Sequence, residues 1–428
     1  MIQRSRERIE QSPFIKNFLT ALTGTGLAQI IGIFSTLILA KFFYTPNEYG
    51  IFALFTSLIM PLNILVMMQY AHAILLPKSH LKAGQLVLLA SGISVAFAVF
   101  VLLVLFVFKD FWYALIRPNT HNSDPYWIFF IPVSLVTAGC SEALSVWTAR
   151  MQRYTRNAKA RITTSSVAFL VQLLFALYMV SEYGLIIGFV LGQLSALVWQ
   201  VHQARKHERS FFALDIERLK ELSVEYKIIW YLVPASLFIV LTDQLPIYTL
   251  NSMATKAELG NFGMCTRVLA APVTFIAMSM SEVFGQKASK LYLTKDGARS
   301  FFVKTFKTMF LASIIPFTLL FIFAPQIFGI LGEKWVLSGK MVQYFGVMYW
   351  FKFFVTPVSY MYFLAKKQKE MMFGSIILLV VNYAVIQLVK LYAPGNYLYI
   401  LGAFALVYSA YYVMLLWRSY IFTLPPKP

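Results

Sequence analysis

Twelve apolar stretches divide the chain, separated by short polar segments. A bilayer crossing takes about 20 mostly apolar residues at 1.5 Å each. On that template the stretches fall at 18–43, 49–76, 85–108, 126–148, 162–181, 185–204, 228–251, 259–284, 305–329, 341–365, 371–391 and 397–418. Transmembrane strands would be about half as long and would alternate polar with apolar residues, which these runs do not. The pattern predicts an all-α integral membrane protein of about 12 transmembrane helices. The first stretch is too long for a signal-peptide core and lacks a small-residue cleavage site, so it is expected to remain as a helix.

Composition supports this reading: of 428 residues 59% are hydrophobic and 13% charged, far from the balance of a soluble domain. The 37 Lys and Arg against 18 Asp and Glu leave a formal charge of +19. Nucleic acid is not the implied partner, because no long polar segment exists to carry a basic patch. The charge follows topology instead. With the N-terminus placed inside, alternate connections hold 28 Lys and Arg on the inside and 7 on the outside, which predicts both termini in the cytoplasm. Cys140 and Cys265 both lie in apolar runs, so neither a disulfide framework nor a cysteine metal site is expected. No connection exceeds about 25 residues, and no HExxH motif, phosphate-binding Gly loop or His/Asp/Glu cluster lies at a membrane face, so the chain does not read as an enzyme.

The chain also resembles itself. Glu48-Tyr49-Gly50-Ile51-Phe52 is matched by Glu258-Leu259-Gly260-Asn261-Phe262 at an offset of 210. Pro61 and Pro272 follow at similar distances. Ala149-Arg150-Met151-Gln152-Arg153 is matched by Ala365-Lys366-Lys367-Gln368-Lys369 at an offset of 216. Two six-helix lobes are expected, 1–204 and 228–428, joined by a cytoplasmic linker at 205–227. Phe212, Ile216, Leu219 and Leu222 have the spacing of an amphipathic surface helix, lying on lipid or serving regulation. An even number of spans per half gives the halves one orientation, a transporter plan with the substrate site between them.

Ionisable groups at membrane depth are expensive unless they face water, a partner or a ligand. Arg267 and Asp243 lie about 12 Å from the outer face on adjacent spans and could form a structural pair, or Arg267 could serve gating or a ligand. Lys352, about 16 Å deep, has no matching carboxylate nearby and should face a cavity. Tyr349, Lys352, Thr356 and Ser359 form one polar stripe; Arg267, Thr274, Met278 and Glu282 form another. In the first span Thr25, Gln29, Gly32 and Thr36 line a face that suits either helix packing or a pore. Glu142 and Glu282 either pair with Arg150, Arg153 or Lys287 at the interface or take part in coupling. His72 reads as a helix contact or a proton relay. Asp243 is the foremost candidate for coupling or gating. A basic, aromatic cavity suits an anionic ligand: Arg267 and Lys352 for a diphosphate, Tyr349 and Trp350 for sugar rings, with Thr356 and Gln29 as further contacts. Most of the Phe and Tyr residues would still only pack or face lipid.

Several motifs in order resemble the polysaccharide (O-antigen, Wzx-type) flippases of the multidrug/oligosaccharidyl-lipid/polysaccharide (MOP) exporter superfamily. They are Asn17 with the Gly-rich first span, Tyr44-Thr45-Pro46-Asn47-Glu48-Tyr49-Gly50, Ala73-Ile74-Leu75-Leu76-Pro77, Thr242-Asp243-Gln244, Glu258-Leu259-Gly260-Asn261-Phe262, Gly332-Glu333-Lys334-Trp335 with Gly339, and Thr356-Pro357-Val358-Ser359. The resemblance implies a MATE-like MOP fold around a central cavity in the bacterial inner membrane. It also implies that undecaprenyl-diphosphate-linked oligosaccharide, such as an O-antigen unit of lipopolysaccharide, moves to the periplasmic leaflet by alternating access. Coupling to a proton or sodium gradient is implied, with no cofactor. Implied partners are membrane lipids and the polysaccharide polymerase and chain-length machinery. His72 stands where many relatives would carry an acidic residue, against a coupling role there. A drug antiporter of the same superfamily would want carboxylates in its cavity. A major-facilitator transporter would want an Asp in the segment 77–84, and a lipid II flippase two more spans. A membrane transferase acting on the lipid carrier would need a catalytic acid or His, for which Glu142 and His72 are the available groups.

Overall fold

A computed structural model describes residues 13–66, 70–116, 125–208, 215–225, 232–292 and 298–424, and every regular element among them is helical. In chain order these are α1 (Pro13–Phe42), α2 (Pro46–Val66), α3 (Tyr70–Ala73), α4 (His80–Val107), α5 (Lys109–Ile116), α6 (Phe130–Arg150), α7 (Tyr154–Tyr178), α8 (Glu182–Glu208), α9 (Ile216–Glu225), α10 (Leu232–Met253), α11 (Lys256–Tyr292), α12 (Arg299–Gly329), α13 (Val336–Val358), α14 (Met361–Leu364), α15 (Gln368–Tyr392) and α16 (Tyr397–Ile421). Single 3-10 turns, Tyr126–Phe129 and Glu333–Trp335, lead into α6 and α13.

Each expected span overlaps a long helix, although α2 covers only the first part of the expected 49–76 stretch and ends at Val66. Nine helices among the described residues are long and apolar enough to cross a membrane, and Gly26–Phe42 within α1 is a shorter apolar segment. α13 falls outside those nine, its apolar run interrupted by Lys340, Gln343 and Lys352. Apolar side chains cover the outer faces of the others: Phe100 and Phe106 on α4, Leu311 and Ile315 on α12, and Ile377 and Val380 on α15 are all 60% exposed or more. Apolar faces this extensive belong in lipid rather than water.

The chain forms two compact units. The first comprises the described residues up to Tyr44 together with Leu54–Leu237; the second comprises Thr45–Ala53 together with Phe238 onward. The first two turns of α2 thus group with the second unit. In the first unit α7 packs on α1 and α8, and α6 packs on α4 and α8. Phe55 meets Trp127 and Phe189 edge-on. Tyr44 donates to the Gln172 carbonyl at 2.9 Å. The linker is helical at α9, and Leu222 is only 1% exposed, packed with Tyr70, Leu86 and Trp147. Tyr70 also donates to the Ser223 carbonyl at 2.8 Å. α9 is therefore docked on protein through Leu222, beyond any contact with lipid. Phe212 and the side chain of Ile216 lie outside the described residues.

In the second unit α13 is central, packing on α11, α12 and α16, while α15 packs on α16. Phe345 stacks on Phe404 and meets Phe262 edge-on. Buried Asn261 accepts from the Ser338 backbone N–H at 3.0 Å and its hydroxyl at 2.8 Å, tying α11 to the start of α13.

The internal repeat has local counterparts. Thr45 and Glu48 form a capping box at the start of α2: the Thr45 amide and hydroxyl donate to the Glu48 carboxylate at 2.7 and 2.5 Å. Thr255 and Glu258 repeat it at α11, at 2.7 and 2.9 Å. At the helix ends, α6 closes with Gln152 at φ 56° and α14 with Lys366 at φ 55°. In both, paired backbone bonds complete a Schellman motif: Gln152 N–H to Ala149 and Arg153 N–H to Thr148, then Lys366 N–H to Phe363 and Lys367 N–H to Tyr362. Gln152 therefore corresponds to Lys366, an offset of 214. The offset of 216 read from residue identity is corrected by two, because the left-handed closure, not the Ala and Gln letters, sets the register.

Candidate ligand and coupling site

The second unit carries most of the expected site residues. Arg267, on α11, places its guanidinium carbon 4.0 Å from the Phe52 ring centroid and 5.8 Å from that of Tyr49. Both rings come from the first turns of α2 and are nearly fully buried. The Asp243 carboxylate accepts a hydrogen bond from the Tyr408 hydroxyl, on α16. The equal-depth Arg267–Asp243 ion pair is not made. Sequence reasoning could place the two at one height but not orient them about their helix axes, and each turns to an aromatic partner instead. Among the described residues neither an ion pair nor a hydrogen bond engages the Arg267 guanidinium.

Around Asp243 the structure gathers tyrosines. Tyr408 packs on Phe404 at 5.1 Å and on Tyr412 at 5.9 Å between centroids. Tyr349, 7% exposed on α13, and Tyr412 lie close enough to Asp243 to interact with it electrostatically. Lys352 Nζ sits 5.7 Å from the Tyr349 ring, half-buried. Tyr349 thus connects the lysine to the carboxylate neighbourhood. Thr356 lies one turn on; its carbonyl accepts from the Ser359 hydroxyl at 2.8 Å and from Ser281 at 3.5 Å, tying α13 to α11.

Other expectations are redirected. Trp350 donates to the Ser313 hydroxyl at 2.9 Å and packs on Phe310, Phe351 and Phe354, so it belongs to the α12–α13 aromatic packing rather than to a sugar platform. Glu142 is exposed on α6 and does not pair with the arginines expected for it. Arg150 instead donates to the carbonyls of Ile74, Leu75, Pro77 and Lys78. Arg153 and Arg156 converge on Glu208, 3% exposed, which also accepts from Trp147 Nε1 at 2.6 Å. Lys287, expected near Glu282, lies over the Phe301 ring at 4.7 Å. The side chains of Glu282, Thr25, His72 and Met278 lie outside the described residues. Gln29 is half-buried on α1 in the first unit, and Thr36 there donates back to the Gly32 carbonyl at 2.9 Å, the local bonding of a packed helix.

Sequence reasoning missed Tyr408, Tyr412, Phe52 and Glu208. Tyr408 and Tyr412 stand at i and i+4 in the last helix, and Tyr49 and Phe52 at i and i+3 around Gly50, but aromatics at such spacings are common in membrane helices and carry little signal alone.

The fold is one that solved MOP-superfamily transporters also adopt, and its long apolar helices give a multi-pass membrane architecture. An inward-facing multidrug resistance MATE transporter of that superfamily superposes with a TM-score of 0.72 at 12% identity over 94% of both chains. The lipid II flippase MurJ in an inward closed conformation superposes with a TM-score of 0.75 at 12% identity over 94% of this chain and 89% of that one. A MOP transporter from Pyrococcus furiosus Vc1 (DSM3638), described as having a binding pocket of reverse polarity, does so with a TM-score of 0.56 at 12% identity over 94% and 95%. Residues 38–339 match the family described as polysaccharide biosynthesis protein, and the chain belongs to that family. No curated protein matches the chain. The resemblance read from the motifs holds for family and fold, and the structural relatives are transporters and flippases rather than enzymes.

Proposed function

We propose that this protein flips undecaprenyl-diphosphate-linked oligosaccharide, a unit of O-antigen or a similar surface polysaccharide, from the cytoplasmic to the periplasmic leaflet of a bacterial inner membrane by alternating access. Family membership supports a role in polysaccharide assembly. The observation that carries the ligand class is Arg267, a cation within the long apolar helix α11 whose guanidinium carbon lies 4.0 Å over the Phe52 ring and which has no anionic partner among the described residues. A guanidinium in that state is a strong donor to phosphate oxygens. Lys352, beside Tyr349, adds a second cation, and Thr356 and Gln29 are proposed as sugar contacts. Asp243, bonded to Tyr408, is the proposed coupling group for a proton or sodium ion, with Glu142 and Glu282 as further candidates for coupling or gating. The polymerase and chain-length machinery would receive the product.

Export of surface polysaccharide in a strain lacking its own flippase tests the reading. Arg267→Ala and Lys352→Ala should each lower export by about tenfold or more, the equivalent of about 1.4 kcal/mol, with the protein still at wild-type level in the membrane. Full export by both variants would overturn the assignment. A cationic-drug antiporter would be expected to tolerate loss of these two cations, so resistance to cationic drugs in the same strains separates the two readings.

A further inference from the structure

We infer that Phe52, assisted by Tyr49, is a positioning residue for Arg267, holding its guanidinium by the face so that its N–H edges stay available to the anionic group of the substrate. The inference rests on the reading above that Arg267 engages an anion, and adds the device that keeps a cation with no ion-pair partner among the described residues ready for it.

A guanidinium has five N–H donors in its plane and none on its faces. At 4.0 Å from a ring centroid, the group is at van der Waals distance from Phe52, where the ring quadrupole attracts the cation without consuming a donor. A carboxylate partner would occupy those same donors and compete with a phosphate. An aromatic partner stabilises the charge and leaves them unoccupied.

The rings are themselves fixed. Phe52 is 3% and Tyr49 2% exposed, and Tyr49 meets fully buried Trp335 edge-on at 5.2 Å. The turn of α2 that carries them lies against α11 at two glycines. A Cβ on Gly50 would collide with the Lys256 carbonyl, and one on Gly260 with the Pro46 carbonyl. Further along, a Cβ on Gly263 would come within 2.7 Å of Ala53 Cβ. This seam of small residues brings the helices to backbone contact, and Arg267 stands on α11 two turns beyond Gly260, about 10 Å along the axis. The repeated Glu-x-Gly motif therefore does more than mark an internal duplication: it sets the approach at which a ring of α2 can cover a guanidinium of α11.

The test uses the full chain in lipid nanodiscs with undecaprenyl diphosphate as probe, binding being followed by native mass spectrometry. Fluorinated phenylalanines are introduced at position 52, alongside Phe52→Leu, Phe52→Tyr, Arg267→Ala and the double variant Phe52→Leu/Arg267→Ala. Fluorination withdraws the ring quadrupole at nearly constant volume, so it leaves packing in place. Affinity should fall stepwise with fluorine number, reaching about tenfold for the fully fluorinated ring. Phe52→Leu should match that loss, Phe52→Tyr should stay within about twofold of wild type, and the double variant should bind no worse than Arg267→Ala alone. A flat fluorination series beside a weakened Arg267→Ala would overturn the positioning role while leaving the ligand reading intact. Additive losses in the double variant would show Phe52 to act by packing alone. Unchanged binding by Arg267→Ala would sink the underlying reading and the inference with it.

Discussion

Asp243 and Arg267 show how a residue's role depends on which way its helix faces. One carboxylate and one guanidinium at a common depth would neutralise each other if their helices presented them to one another. Asp243 instead accepts from Tyr408, and the Arg267 guanidinium lies over the Phe52 ring. Among the described residues each charge then keeps a partner that does not cancel it, which a transporter can use: a carboxylate not bonded to a cation can exchange a proton or sodium ion, and the exchange biases two conformations. On the coupling role proposed for it, Asp243→Asn should remove any dependence of transport on the ion gradient. Tyr408→Phe, which deletes only the donated hydrogen bond, should shift the ion concentration for half-maximal transport by severalfold while leaving the protein folded. Flux measured in proteoliposomes under imposed proton and sodium gradients checks both, and a Tyr408→Phe profile that overlays wild type would make the bond structural.

At the scale of elements, the two units reuse the same local devices. Capping boxes at Thr45/Glu48 and Thr255/Glu258 start α2 and α11, and Schellman closures at Gln152 and Lys366 end α6 and α14. Each box has a one-dimensional signature, Thr-x-x-Glu before an apolar run. The closures have none, since neither uses the Gly that normally marks the left-handed position. Gln and Lys there carry a conformational penalty of about 1 kcal/mol that Gly would not. Gln152→Gly and Lys366→Gly should therefore each stabilise by up to about 1 kcal/mol, read as a rise in the thermal transition of the detergent-purified protein. A fall would mean that the side chains make contacts worth more than the backbone strain.

Across the whole molecule, charge placement and apolar length speak to topology. The inside-weighted distribution of Lys and Arg predicts both termini in the cytoplasm. A fluorescent-protein fusion at the C-terminus should glow, and an alkaline phosphatase fusion there should be inactive; the opposite pair would invert the orientation and reverse every depth assigned to Arg267 and Lys352.

The helical membrane class and the places of the long helices were determined by the sequence itself. The bilayer imposes a local rule, a run of apolar residues long enough to cross and a backbone bonded within its own segment, and a local rule can be read residue by residue. Which polar side chains meet was decided only by tertiary structure. Tyr408 reaches Asp243 from 165 positions along the chain, and Phe52 reaches Arg267 from another helix altogether. Such meetings depend on the rotation of each helix about its axis and on the close approach that Gly50 and Gly260 permit, and no one-dimensional pattern contains either.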